Sequence, residues 1–256
     1  MEFPKTNNKI VCIVATGYAW EAVVFGNPDK DYWTLNNMYE AGIKSSSVFD
    51  EWFQIHRPGS GEGHVDDAPM RMFLSEWDKP VWVQKNWGEE MPVKNPWVYP
   101  LDEVMESFCP RDVYGKTYPY FTNSIDYMLC LAALRGYSEI QLYGVEFISE
   151  IDDEYYSMRQ SVNFYIGRLL ERGIKVIVQP HSSLLKTTYH YGYESPKRDP
   201  FEKIMKENLT KVREQRQKQQ GSIDEQVRML SMMDGGIQTL EQLLKILKLR
   251  SKGAQI

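Results

Sequence analysis

Two stretches of this chain follow one pattern, and that pattern limits the fold more than any other feature. An amphipathic run ends on a glycine and is followed at once by a short apolar strand. Thr122 to Arg135 carries apolar residues at Ile125, Leu129, Ala132 and Ala133, Gly136 stops it, and Glu139 to Tyr143 reads as a buried strand. Asp153 to Arg172 repeats the pattern, with Gly173 as its C-cap and Lys175 to Val178 as the next strand. Helices that alternate with buried strands predict a parallel sheet covered on both faces.

The N-terminal half supplies the other strands. Lys9 to Ala15 is β-branched and continuously apolar, as a strand buried on both faces requires, and it ends at Thr16-Gly17. Residues 32 to 37 read as a second strand stopping in the pair Asn36-Asn37, Val48 to His56 as a third, and Pro80 to Gln84 as a fourth. Asp67 to Trp77 and Leu101 to Phe108 fit short helices. The loop from Arg57 to Pro69 is Gly-rich and acidic, and Pro-rich irregular chain surrounds the second of these helices up to about Tyr120. The expected fold is α/β, a Rossmann-like, mostly parallel sheet flanked by helices, with a helical C-terminal extension. The expected domains are residues 1 to 195 and 196 to 256.

Beyond Pro200 the chain becomes charged and Gln-rich. Phe201 to Gln219 is expected to form one helix. Ser222 with Glu225 matches a capping box for another, and Asp234-Gly235-Gly236 is expected to break that one. Ile237, Leu240, Leu243, Leu244 and Leu247 then recur at helical spacing. A stripe of this kind must pack on something: either a hairpin docks on its own domain, or residues 201 to 256 form a contact with a protein partner or a second copy.

Composition narrows the function. A net charge of -5 lacks the basic footprint of a protein that lives on phosphate backbones, so nucleic acid is an unlikely partner. Three widely spaced cysteines, Cys12, Cys109 and Cys130, fit buried thiols in a reducing compartment better than a disulfide framework or a zinc site. No stretch approaches the ~20 apolar residues of a membrane span, and the polar start of the chain leads straight into a strand, so a cytoplasmic protein is expected. Seven Trp and sixteen Tyr, many of them between Trp77 and Tyr120, suggest a broad half-buried surface, for a ligand or subunit, as well as a core.

Candidate site residues gather at the strand ends. Thr16 and Gly17 lie where open α/β sheets bind ligands, although neither a G-x-G-x-x-G nor a P-loop lysine is present. Asn36 and Asn37 offer amides suited to a base edge or ribose hydroxyl, or to an Asx turn. Thr122, Asn123 and Ser124 open the best-patterned helix, where they can cap it or present free N–H groups to a phosphate. Tyr155, Tyr156 and Arg159 could clamp a phosphate or simply cover a helix face. His56 and Glu146, each at a strand end, are the candidate general bases. Asp152 to Glu154 suits a helix start rather than a metal. His181 and His190 have no nucleophile-elbow pattern beside them.

The block from Phe121 to Phe147, F-T-N-S-I-D-Y-M-L-C-L-A-A-L-R-G-Y-S-E-I-Q-L-Y-G-V-E-F, resembles the corresponding block of bacterial sialyltransferases of the Campylobacter lipooligosaccharide type. It is also similar to MptE-like (6-hydroxymethylpterin pyrophosphokinase-like) and motility-associated proteins. Ala15-Thr16-Gly17 and Leu35-Asn36-Asn37 fall in the same order as in those families, and the resemblance spans roughly residues 9 to 180. In the sialyltransferases that order implies a CMP-sugar site. Gly17 and Asn36 or Asn37 would lie at the nucleotide, Thr122 to Ser124 near base or ribose, and Tyr155 or Tyr156 near phosphate. Two departures stand out. The small Gly-Pro-Ser turn of the families is Gly17-Tyr18-Ala19-Trp20 here, and residues 147 to 178 lack the histidine that acts as base in the sialyltransferases. The whole pattern, with Met233-Asp-Gly-Gly-Ile237 in the tail, looks most like tailed-bacteriophage proteins carrying this domain.

Two functions follow as expectations. One is a nucleotide- or nucleotide-sugar-binding transferase-like protein, phage-encoded, of glycosyl or nucleotidyl type. Its ligand would be a CMP- or UDP-type sugar nucleotide or a nucleoside triphosphate, with no cofactor firmly implied. The other is a non-catalytic, virion-associated or accessory protein that uses the same domain and its tail helices for assembly.

Overall fold

The computed structural model describes residues 3–4, 6–36, 38–41, 48–147, 153–186, 190–191, 193 and 200–253, with the side chains of 41, 153–156, 200–203 and 246–253 outside that description. The chain divides into two compact units, Met1–Lys186 and Thr187–Ile256.

The first unit is built on strand β1, Ile10–Val14, whose I-V-C-I-V run is buried on both faces. On one side it pairs with β2, Lys30–Leu35, and on the other with β6, Glu139–Tyr143; Ile10 stands opposite Lys30 and Glu139. Outward from β2 lie β3 (Glu51–Phe53), β4 (Val81–Val83) and β5 (Pro96–Val98). Beyond β6 lies β7 (Lys175–Val178). All pairs are parallel, in the order β5-β4-β3-β2-β1-β6-β7. The chain therefore runs outward to β5, then returns to continue from β1 in the opposite direction. That reversal leaves a crevice at the carboxyl ends of β1 and β6, since the connections leave these two strands toward opposite sides.

Alternate residues of the strands feed two cores. Val11, Ile13, Trp33, Phe53 and Trp82 face α2 (Leu101–Phe108), α3 (Ser124–Leu134) and α4 (Asp153–Glu171). Cys12, Val14, Tyr32, Trp52 and Val81 face α1 (Ala68–Glu76), where Met70 and Leu74 meet Phe49 and Trp77. The aromatic residues divide between core and surface: Trp33, Trp52 and Trp82 are fully buried, Trp87 and Trp97 are half-buried, and Tyr114 and Tyr118 are exposed. All three thiols are buried as well. Burial pushes Cys12 up to about 11, and Cys130 rises well above the ordinary thiol value for the same reason.

A polar cluster closes the amino ends of the strands. Arg135, the C-cap of α3, donates through Nη1 to both carboxylate oxygens of Glu51 at 2.6 Å and through Nη2 to the Pro4 carbonyl at 2.9 Å. Its guanidinium lies 5.0 Å from the centre of the Trp33 ring, and Trp82 Nε1 donates to Glu51 at 2.6 Å. Nearby, Asp31 accepts from Thr6 Oγ1 at 2.6 Å, Asn8 Nδ2 at 2.7 Å and the Tyr137 hydroxyl.

Several expectations need correction. The irregular chain before α2 contains β5, an edge strand that opens on Pro96; Pro96, which has no N–H to donate, is tolerated there. The third strand is shorter than Val48 to His56 because Asp50 turns back to accept the Tyr32 N–H at 2.8 Å. Thr16-Gly17 leads into a short 3-10 helix, Tyr18–Ala22. Among the described residues the second unit contains one helix, α5, Pro200–Gly253, where breaks near Gly221 and at Gly235-Gly236 were expected. Ser222 is inside that helix and starts nothing. A helical glycine costs about 1 kcal/mol relative to alanine, and without a proline nearby the good helix formers on either side carry the chain through.

Candidate functional site

The crevice at the strand reversal is a real cavity of about 630 Å3, lined by the ends of β1, β2 and β6, the start of α3, and His56 with Glu62 and Gly63. Its size is that of a small-molecule site. Of the residues singled out from sequence, Thr16, Gly17, Asn36, His56, Thr122, Asn123, Ser124 and Glu146 all line it. Arg159 does not, although Met158 just before it on α4 does. Asn37 and the side chains of Tyr155 and Tyr156 lie outside the described residues.

Two glycines make the crevice possible. The Gly17 N–H donates to the Gly144 carbonyl at 3.0 Å, so the turns after β1 and β6 touch. A Cβ on Gly17 would land on the Glu146 carboxylate, and one on Gly144, whose φ is +66°, would collide with the Ala15 carbonyl. The carboxylate fills the space that a side chain at position 17 would take. Glu146 Oε1 accepts the Ala19 N–H at 3.2 Å, and burial raises this carboxyl above its ordinary value, with the Ala19 bond opposing. Ser183 fastens the Glu146 backbone by donating to its carbonyl through both N–H (3.1 Å) and Oγ (2.8 Å).

Asn36 stands across from this group. Its φ of +47° is a left-handed conformation that asparagine tolerates. Its backbone is held at both ends, the N–H by the Phe53 carbonyl at 3.0 Å and the C=O by Trp52 Nε1 at 3.1 Å. Its Oδ1 is buried, yet accepts no hydrogen bond among the described residues. An unmet buried acceptor costs about 1–3 kcal/mol. Phe147, on the opposite wall, also has a left-handed backbone with φ +46°; for an aromatic residue this is stored strain of about 1 kcal/mol or more.

The start of α3 is more structural than its hydroxyls suggest. Asn123 caps it: Oδ1 accepts the N–H groups of Ile125 (2.9 Å) and Asp126 (3.3 Å), so two of the donors that a phosphate would use are already taken. Asp126, three residues on, reaches back to accept from Thr122 N–H at 2.9 Å, Asn123 Nδ2 at 3.1 Å and Ser161 Oγ at 2.8 Å. Asp126 is wholly buried. Its desolvation outweighs these bonds and pushes the carboxyl up to about 7. The sequence reading passed over Asp126 and Ser161. The Asn-x-x-Asp spacing signalled the first; nothing in sequence signals a partner 35 residues away.

The remaining wall is the loop after β3. His56 Nδ1 lies 3.3 Å from Glu62 Oε2, and Gly63, at φ +58°, packs so closely that a Cβ would meet the imidazole ring. At the rim, the exposed Tyr18 ring stands 6.2 Å from that of His181, which the loop after β7 brings to the mouth. No lysine or arginine is among the described lining residues. The donors and acceptors are amides, hydroxyls, backbone, the His56 imidazole and the exposed Glu62 carboxylate, with Glu146 as the buried acid, set among Leu35, Ile125, Val145 and Phe147.

No protein-family model matches the sequence, and no curated protein does. Among solved structures, the chain is similar to the sialyltransferase CstII from Campylobacter jejuni in complex with cytidine-5'-monophosphate, at 14% identity and a TM-score of 0.42 over 77% of this chain and 99% of that one. It is also similar to the alpha-2,3-sialyltransferase from Campylobacter jejuni in apo form, at 14% identity and a TM-score of 0.40 over 81% of this chain and 96% of that one. No helix among the described residues is long and apolar enough to cross a membrane.

Proposed function

We propose that the crevice binds a nucleotide-type ligand, a sugar nucleotide of the CMP or UDP kind, and that the protein is transferase-like. The observation that carries this reading is a cavity of small-molecule size at the point where the strand order reverses, lined by Thr16, Asn36, Thr122, Asn123 and Ser124 with the Glu146 carboxylate beside them. Amides and hydroxyls are the groups that pair with ribose hydroxyls and base edges. The lining favours a nucleoside or sugar over a triphosphate. Without a lysine or arginine among the described walls, a highly charged group would find backbone, amide, hydroxyl and imidazole donors but no fixed cation, so the phosphate is best placed toward the open mouth. Within this reading Glu146 is the proton acceptor, because its burial raises its basicity toward neutrality, and His56 is the second candidate. A second reading, a non-catalytic assembly protein, is favoured by the exposed apolar residues of α5.

Thermal and urea unfolding with CMP, UDP, a CMP-sugar analogue and ATP tests the reading. At a concentration 100 times its dissociation constant, a ligand stabilises by about 2.7 kcal/mol. We expect such a gain with the CMP or UDP ligands and a smaller one with ATP. Asn36→Gly keeps the left-handed backbone and removes the amide; it should abolish the ligand-induced gain while the free protein loses only about 1 kcal/mol. No gain with any of the four ligands at millimolar concentration rules the reading out.

A further inference from the structure

Helix α5 runs for 54 residues, ~80 Å of helix, and exposes a row of large apolar side chains. Their spacing is regular. Leu209, Ile223, Leu230, Ile237 and Leu244 fall seven or fourteen residues apart, and Val212, Met233 and Leu240 fall three residues after members of that row. This is the a and d pattern of a coiled coil, and the sequence continues it to Leu247. Ile223, Leu230, Met233, Ile237, Leu240 and Leu244 are each 51–63% exposed.

We propose that residues 223 to 247 pair with the same segment of a second copy of this chain as a parallel, in-register, two-stranded coiled coil. Three observations choose that occupant. First, the area is sufficient. The half-exposed a and d side chains, with Val227, Met229 and Leu243 beside them, offer on the order of 800 Å2 per chain, the share each partner contributes to a standard interface. Secondly, the flanks permit one direction only. In a parallel pair each g residue faces an e residue of the partner, and the g positions are Met229, Gly236 and Leu243, so no like charges meet. An antiparallel pair covering the same stripe would set Asp234 against Glu241 twice along the flank where e residues face one another, which is repulsive. Thirdly, the pattern limits itself. The positions before Ile223 are Arg216 at a and Gln219 at d, so two in-register copies would bring arginines together there, and pairing stops at Ile223. Gln226, a polar d residue inside the segment, penalises other registers. Gly221, Gly235 and Gly236 weaken an isolated helix, which makes a partner the natural source of its stability.

Light scattering and sedimentation of the full chain at micromolar concentration should give twice the mass of one chain. The double substitution Ile237→Lys/Leu240→Lys should give the mass of one chain with an unchanged near-ultraviolet signal from the tryptophans of the first unit. Gln226→Cys, oxidised under mild conditions, should yield a disulfide-linked pair, and Glu225→Cys at the outer face should not. A single-chain mass for the natural protein, a mass of three or more chains, or a double variant that stays paired overturns the proposal. Pairing without the 226–226 cross-link overturns the parallel register.

Discussion

Replacing Arg135 with methionine is expected to cost about 3–5 kcal/mol at neutral pH, the cost of stripping one partner from a buried ion pair. The side chains of Arg135 and Glu51 are 2% and 6% exposed, and the Nη1 contacts are both 2.6 Å. Without the guanidinium, Glu51 keeps only the Trp82 donor, and Pro4 and the Trp33 face lose their contact as well. The deficit must shrink in acid. Burial already raises the Glu51 carboxyl, with Arg135 opposing; once that opposition is gone the folded state takes up a proton more readily, so the variant recovers part of its loss as pH falls. Glu51→Gln combined with Arg135→Met should recover more, because no charge then remains buried. Urea unfolding of the three proteins at pH 5 and 7.5 measures all of this. Equal losses for the single and double variants would show that packing of the arginine stem, not its charge, is what matters.

Asp126 is the source of the second large effect, which depends on pH. Its carboxyl is raised from 3.8 to about 7 in the folded protein, so its contribution to stability is fully present below the unfolded value and disappears as pH rises through the folded one. Between pH 4 and about 8 the natural protein should therefore lose on the order of 4 kcal/mol from this residue alone, and none further above that range. Asp126→Asn removes the titration and keeps an oxygen for the Thr122 and Ser161 donors. Glu51 and Glu146 are also raised, whereas Glu139 and the exposed Asp66 and Asp112 are lowered, so the raw curves mix several groups. The difference between the two proteins isolates Asp126. It should be near zero at pH 4 and favour the asparagine variant progressively up to about pH 8. A flat difference would mean that the three donors to Oδ2 keep the carboxylate ionised across the range.

The strands and helices that the sequence showed clearly are those whose information is local. β6 and β7 match their expected bounds to the residue, because Gly136 and Gly173 stop the preceding helices and a short apolar run follows each at once. β5 was hidden, since Pro96 looks like a breaker until an edge position removes the need for its N–H. The continuity of α5 was hidden for the opposite reason: paired glycines look like a break, yet only bend the odds by a small free energy. The same division holds in the pocket. Gly17, Asn36, Asn123 and Glu146 stand at strand or helix ends, where topology alone brings them together. What escaped was second-layer chemistry: the Asp126–Ser161 contact, the ring of His56 against Gly63, and the approach of His181 to Tyr18 all depend on folding distant segments together.

The burial of the three thiols gives the first unit a built-in set of reporters. Cys12 lies on the central strand, Cys130 within α3, and Cys109 just beyond α2 with its sulfur 3.6 Å from the Tyr165 hydroxyl. None can react with an alkylating reagent until its surroundings open, because a buried thiol is out of the reagent's reach. Their separate modification rates under native conditions would therefore map which parts of the unit open together and which open alone. Uniform rates would mean a single cooperative body; an early reaction at Cys109 would mark α2 as the hinge through which the body first comes apart.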